Sequence, residues 1–473
     1  MTPLEISPAE LRTLLDEISK LTASYLESLD SRPIVRNSTA AEMESCFAGD
    51  PPAKGLKADA LQQLPTLIDN SRAQNGRFFG YVLGSGDPVG AATDLLASAL
   101  NQNVTAWRSS PAGITIEKTV IRWLAESIGC RGFQGSLTGG GSSANLMGLA
   151  IAREAKLPVN AQGFANRRGT VYASEEVHMS IPKAVALLGI GRDNLRLVPT
   201  DETFHLIPAE LDRAMRRDRE AGLIPIAVVA SAGTVNTGAV DPLSQIAEIA
   251  RQHGSWFHID GAYGALAAMA VRNRFHGLDL ADSLSLDPHK WLYQPLDCGC
   301  LLFRDSHAAR TAFAHTGEYA RSLTADPAES FAFFEESLEL SRRFRALKLW
   351  FALRYHGFDA FRDSIKNDLA HARRLAEAVI NEPELELAAP LELSAVCFRY
   401  VGPGGLSAAE LNRQNSAILK RAVERGKVYL SNATLRSKFC LRACIVNHRT
   451  TDADIDSVVP EVLAAAADLR SSS

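Results

Sequence analysis

The sequence predicts an α/β protein built on a mostly parallel sheet, and three observations carry that expectation. Short apolar runs at 170–173, 226–231, 256–260, 283–286 and 299–303 have the length of strands. Segments at 114–128, 142–155, 208–220 and 242–253 show the longer helical period and alternate with those runs. The residues suited to chemistry fall just after the strands, at the carboxyl edge where sheets of this class bind ligands.

Composition narrows the class. The 473 residues are 46% hydrophobic and 22% charged, with a net charge of −4, which is globular and leaves no basic footprint for nucleic acid or an anionic membrane. Seven cysteines, odd in number and scattered, make no disulfide framework. With no secretory core and no apolar run of bilayer length, the chain is expected in the cytoplasm. Cys298 and Cys300 share one face of a strand, a poor start for a tetrahedral metal site, so buried thiols and no metal are expected.

Three parts follow in order. Residues 1–78 form a helical arm. Ser7, Pro8, Ala9 and Glu10 make a capping box with proline at the first helical position, and Leu11, Leu14, Leu15 and Ile18 follow on one face. The arm is too short to enclose a core, so its stripe is expected to cover the main body or a second subunit. Residues 79–345 hold the sheet. Residues 346–473 form a smaller α+β unit, with helices near 347–355 and 368–380, strands near 394–400 and 439–446, and an alanine-rich terminal helix.

The stretch 282–300, DSLSLDPHKWLYQPLDCGC, organises the large part. Leu284 and Leu286 alternate with serines in a strand, Pro288 stops the ladder, and apolar alternation resumes at Cys298. Lys290 stands on the intervening turn. A lysine between two buried strands either carries its ammonium out to solvent or is an amine kept reactive for a carbonyl partner. Upstream, Thr138-Gly139-Gly140-Gly141-Ser142-Ser143-Ala144-Asn145 opens a helix, where close backbone approach and free N–H groups suit a phosphate monoester. The pattern also fits a dinucleotide turn, but no clear apolar strand precedes it and no acidic residue follows on a second strand. Trp256-Phe257-His258-Ile259-Asp260 is an apolar strand ending in a carboxylate, which needs a partner such as a protonated ring nitrogen. His258-x-Asp260 also begins a non-haem iron triad, a reading the α/β alternation disfavours. His178 and Thr234 lie just past strand ends, and an imidazole at the first could stack on a planar group.

These sites together resemble the pyridoxal-phosphate-dependent group II amino acid decarboxylases, which include the aromatic-L-amino-acid and glutamate decarboxylases. The likeness rests on the PHKW core and HIDGAYG, and runs from about Ser28 to Thr451. It implies a fold-type I homodimer that binds pyridoxal 5′-phosphate. By the resemblance, Lys290 is the Schiff-base lysine, Asp260 the partner of the ring nitrogen, and His178 the stacking histidine. Ala262 would lie on the opposite ring face. Gly141, Ser142 and His289 would cradle the phosphate, and Thr234 would lie by the phenolic oxygen. Phe79, Tyr81 and Trp107 resemble substrate-pocket residues, and Arg442 the arginine that holds a carboxylate in glutamate decarboxylases.

Three departures stand out. Asp287 replaces an asparagine of many members, Val82 and Leu83 thin an aromatic wall, and Phe333 falls where a loop tyrosine protonates the carbanion. Phenylalanine at that place marks the plant aldehyde synthases. The expected function is decarboxylation of an aromatic or related L-amino acid to amine and carbon dioxide. Lys290 would be kept deprotonated by burial and by a cationic His289. Rival readings are decarboxylation with oxidative deamination to an aldehyde, decarboxylation of an acidic amino acid, and a non-catalytic binding or regulatory protein on the same fold.

Overall fold

The computed structural model describes residues 4–315, 324, 326–402 and 404–471. Seven strands make the large sheet: β1 (Gln134–Thr138), β2 (Gly169–Ser174), β3 (Leu195–Val198), β4 (Ile224–Ser231), β5 (Trp256–Asp260), β6 (Ser283–Leu286) and β7 (Gly299–Phe303). Their order is β1-β7-β6-β5-β4-β2-β3. β7 runs antiparallel to both neighbours and every other pair is parallel. Successive side chains leave opposite faces. Val171, Val229 and Leu301 therefore pack beneath the helix Gly141–Lys156, while Tyr172, Val228 and Leu302 face the helix Pro111–Ser127 and its neighbours. Both faces are covered, which is why the central strands read as unbroken apolar runs.

The sheet holds two strands that the sequence does not announce. β1 precedes the glycine turn, where no clear strand was expected, and it lies at one edge, paired only with β7. β3 lies at the other edge and is only partly buried. Cys298 and Cys300 do share one buried face, and burial pushes the Cys298 thiol up to about 12.

A second sheet of four antiparallel strands, β8 (Leu385–Leu387), β9 (Ala395–Tyr400), β10 (Ser431–Leu435) and β11 (Lys438–Cys444), has the order β10-β11-β9-β8. Val396, Phe398, Leu441 and Ala443 bury one of its faces against Leu375, Ile418 and Val462. The two helices expected at 347–380 run as one element, Ala346–Ile380, interrupted at Gly357 (φ 81°, ψ 156°).

At the amino end, the capping box forms as expected: Ser7 N–H donates to Glu10 Oε2 at 2.9 Å and Glu10 N–H to Ser7 Oγ at 3.2 Å. The helix it starts, Pro8–Ser28, has no fully buried residue, and Leu14, Ile18, Leu21 and Tyr25 on its apolar face are half-buried while Leu11 and Leu15 are exposed. No helix among the described residues is long and apolar enough to cross a membrane.

Candidate active site

Lys290 stands in the one-turn helix Pro288–Trp291, which fills the gap between β6 and β7. Proline at its first position costs no hydrogen bond, because that N–H would be unpartnered anyway. Trp291, fully buried and stacked on Tyr263 at 6.0 Å, and Tyr293, whose hydroxyl donates to Asp368 Oδ2 at 2.8 Å, anchor the turn. Lys290 keeps 19% of its side chain exposed and sets Nζ 2.9 Å from Asp287 Oδ2. The other oxygen, Asp287 Oδ1, is buried and has no hydrogen-bond partner.

The glycine turn closes against this pair. Gly140 adopts φ 137°, and Gly299 of β7 comes so near that a Cβ there would stand 2.4 Å from Gly140 Cα. A Cβ at Gly141 would lie 2.6 Å from Ala262 Cβ and 2.9 Å from Asp287 Oδ2. At the start of the helix Gly141–Lys156 the Ser143 and Ala144 N–H groups donate to the Gly140 carbonyl at 3.0 and 3.1 Å, which leaves the Gly141 and Ser142 amides, on residues that line the cavity, as donors for an anion.

Asp260 ends β5 as a well-bonded carboxylate. Oδ1 accepts from Ser285 Oγ at 3.1 Å and from Ala262 N–H at 3.2 Å, and Oδ2 accepts from Asn145 Nδ2 at 3.0 Å. Asn145 fixes the direction of a longer chain. Its amide also donates to Ser180 Oγ at 2.9 Å, which leaves the Ser180 hydroxyl to donate to His178 Nδ1 at 2.9 Å. Its carbonyl accepts from His258 Nε2 at 2.9 Å, and His258 Nδ1 accepts from Ser283 Oγ at 2.8 Å. Both ring nitrogens of His258 are thus occupied, which removes it as an iron ligand. Full burial holds His258 neutral, with its pKa lowered to about 4. Burial also lowers His178, against the opposing pull of Asp260, so the neutral ring carries its proton on Nε2.

A cavity of about 460 Å³ opens over these groups, between the large sheet and β11. It brings together Tyr81, Gly141, Ser142, His178, Asp260, Ala262, His289, Lys290 and Arg442. Arg442 reaches in from β11, with Nε donating to Ser431 Oγ at 3.1 Å and Nη1 to the Val235 carbonyl.

The geometry of this chain departs from five expectations. Phe79 is fully buried in the core of the small sheet and does not line the cavity. Trp107 lines a different cavity, with Lys118, Phe331 and Phe333. Thr234 is buried against Thr237 Oγ1 at 2.8 Å, and its neighbours Gly233 and Val235 line the cavity instead. His289 is not the expected cation, because burial lowers its pKa and its Nδ1 accepts from Cys298 N–H at 3.1 Å. Phe333 is also displaced from its expected place on a loop above the site. It is fully buried, with the Arg342 guanidinium 4.3 Å from its ring centre. Tyr319, which the sequence offers near the start of the same loop as another acid for that protonation, lies outside the described residues.

The sequence alone gives Asn145 and His258 no role beyond their motifs, and it does not mark Ser180, Ser283 or Ser285. The available signals were spacing: His258 and Asp260 share a strand face, and Asn145 lies one helical turn past Gly141.

The conserved domain of pyridoxal-dependent decarboxylases matches residues 52–401. The chain belongs to the pyridoxal-dependent decarboxylase family. It is 32% identical over 471 residues to an aromatic-L-amino-acid decarboxylase of Bacillus atrophaeus, covering 98% of this chain and 97% of that one. A crystal structure of Oryza sativa TDC with PLP and tryptamine superposes with a TM-score of 0.92 at 28% identity, covering 99% of both chains. Rhodiola rosea 4-hydroxyphenylacetaldehyde synthase superposes at 0.88 with 27% identity, covering 98% of this chain and 99% of that one. This decarboxylase therefore has the type I fold, uses pyridoxal 5′-phosphate and is a carboxy-lyase acting on an amino acid. Its residues fit that cofactor: a lysine amine, a carboxylate held by three donors, a glycine turn at a helix start and an unpartnered buried oxygen face one cavity.

Proposed function

We propose that the chain decarboxylates an aromatic or related L-amino acid to the amine and carbon dioxide, as a cytoplasmic homodimer. The observation that carries the chemistry is the convergence of Lys290, Asp260, His178 and Arg442 on one cavity. Support for an aromatic side chain comes from Tyr81 at the mouth and from the relatives' own substrates, as their names give them.

Bound pyridoxal 5′-phosphate supplies the electron sink for the pair left when carbon dioxide departs. Lys290 would hold the cofactor through its amine. Asp260, itself fixed by Asn145 and Ser285, keeps a proton on the ring nitrogen. The Gly141 and Ser142 amides would hold the phosphate. His178, its Nδ1 held by Ser180 Oγ at 2.9 Å, and Ala262, both lining the cavity, would hold the cofactor ring between them. Arg442 has an Nη left over to bind the substrate carboxylate. The helix Pro8–Ser28 and the rest of the arm at 1–78 would bury their exposed stripe on a second copy, with 79–345 as the cofactor domain and 346–473 as the small domain.

Borohydride reduction of the yellow protein followed by peptide mass mapping tests the site, with the label expected on Lys290. A label on another lysine overturns the assignment. A screen of the common L-amino acids, following carbon dioxide, amine and peroxide together, identifies the substrate. Preference for an acidic amino acid, with Arg442 taking the second carboxylate, would overturn the aromatic reading.

A further inference from the structure

Arg442 is a nearly buried cation held by neutral partners. It is 5% exposed and stands in the wall of the cavity that also holds Lys290 and His178. Nε donates to Ser431 Oγ at 3.1 Å and Nη1 to the Val235 carbonyl, and among the described residues no Asp or Glu pairs with it. A guanidinium taken out of water is costly unless an anion meets it. Its five N–H groups lie in one plane, and these two bonds leave the rest of the fork for a carboxylate, which parallel N–H groups bind in two places at once.

We infer that Ser431 aims this fork and is a positioning residue for the substrate carboxylate. The inference rests on the reading that Arg442 binds that carboxylate. Ser431 and Arg442 stand directly opposite each other where β10 pairs with β11. The Ser431 hydroxyl donates to the Arg442 carbonyl at 3.4 Å, which turns its lone pairs toward Nε of the same residue. The backbone of Arg442 thus orients the hydroxyl, and the hydroxyl orients the guanidinium.

Val235 grips the fork from the other side, on the loop after β4 that also brings Gly233 to the cavity. One anchor therefore comes from the small sheet and one from the large. Cys397, opposite Arg442 on β9, is bonded instead to the Asn236 carbonyl at 3.0 Å. With Ser431 Oγ removed, a single bond to Val235 lets the plane turn, and two-point contact with a carboxylate depends on the angle of that plane. Folding alone asks less of this position, because any residue suited to a strand serves β10.

The test compares Ser431→Thr, which keeps the hydroxyl, with Ser431→Val, which has a methyl group in its place and the same shape. Two probes are titrated calorimetrically into the cofactor-loaded full chain. One is 3-phenylpropionate, with the carboxylate and no amine, and the other is phenethylamine, with the amine and no carboxylate. The Val variant is expected to bind the acid about tenfold more weakly than wild type, the scale of one hydrogen bond to a charged group. Its affinity for the amine should stay within twofold, and the Thr variant should keep both. Equal acid affinities in the Thr and Val variants overturn the inference, and so does an equal loss for acid and amine. If the Val variant is insoluble, Ser431→Ala takes its place under the same outcomes. Arg442→Gln separates the two levels: weakened acid binding there, with none in the Val variant, refutes only the role of Ser431. Acid binding that is absent in wild type or unchanged in Arg442→Gln refutes the carboxylate reading and the inference with it.

Discussion

Asn145 Nδ2 donates to Asp260 Oδ2 at 3.0 Å and to Ser180 Oγ at 2.9 Å, so one buried amide orients both the carboxylate and, through Ser180, the ring of His178. Asn145→Asp keeps the shape but sets a second carboxylate against Asp260 and ends the donation. Turnover is expected to fall by about a hundredfold (~2.7 kcal/mol). Unchanged steady-state rates would show that the chain is structural only.

Asp260→Asn should leave cofactor bound, measured by visible absorbance, yet lower turnover by orders of magnitude. A neutral partner cannot keep the ring nitrogen protonated. Near-normal rates in this variant would remove Asp260 from the cofactor ring.

The burial of Phe333 under Arg342 sets an expectation for the product. Amine should form without stoichiometric peroxide, and Phe333→Tyr should not change the ratio of the two. The same variant should lower stability by roughly 1–3 kcal/mol, the cost of a buried hydroxyl without a partner. A shift in product ratio would place this side chain at the chemistry after all.

Asp368 gives a pH dependence with a definite sign. Fully buried, it accepts from the Tyr293 hydroxyl at 2.8 Å and Asn447 N–H at 3.1 Å, and burial raises its pKa from 3.8 to about 8. Its folded form holds a proton that the unfolded chain has already released. That stabilisation is complete below pH 3.8 and is lost as pH rises through about 8. Asp368→Asn should therefore raise the unfolding temperature more at pH 8 than at pH 5, as measured by calorimetry. An equal change at both pH values would contradict this.

Removing residues 1–70 should give aggregated protein, because it removes the exposed stripe beginning at Leu11 and Leu15 and so uncovers the surface that stripe would bury on the second copy. Size-exclusion chromatography with light scattering checks it, and a soluble, active monomer would refute a dimerisation role for the arm.

The central strands and the residues just past them, Lys290 and Asp260 above all, were legible because strands buried on both faces stand out as apolar runs. The edge strands β1 and β3 were not: Gln134–Thr138 is buried at four of five positions but has Leu137 as its one large apolar residue, and Leu195–Val198 is only partly buried. Phe79 and Tyr81 illustrate a different loss. Two positions apart, they would share a face in an extended segment, but Tyr81 adopts φ 60°, so the first enters the small-sheet core and the second reaches the cavity mouth. The bonds joining Asn145 to Ser180, His258 and Asp260 span distant parts of the chain, and only the folded sheet brings them together.

The pairing of β1 with β7 bears on the order in which the protein is made. Thr138 is opposite Gly299, and β1 has no other strand beside it. A chain emerging from the ribosome thus carries its glycine turn early but cannot seat it until β7 has followed. Arg442 arrives later still, on β11. Loading therefore belongs to the finished polypeptide, and assembly of the site is governed by a contact between distant segments, the kind that forms slowly.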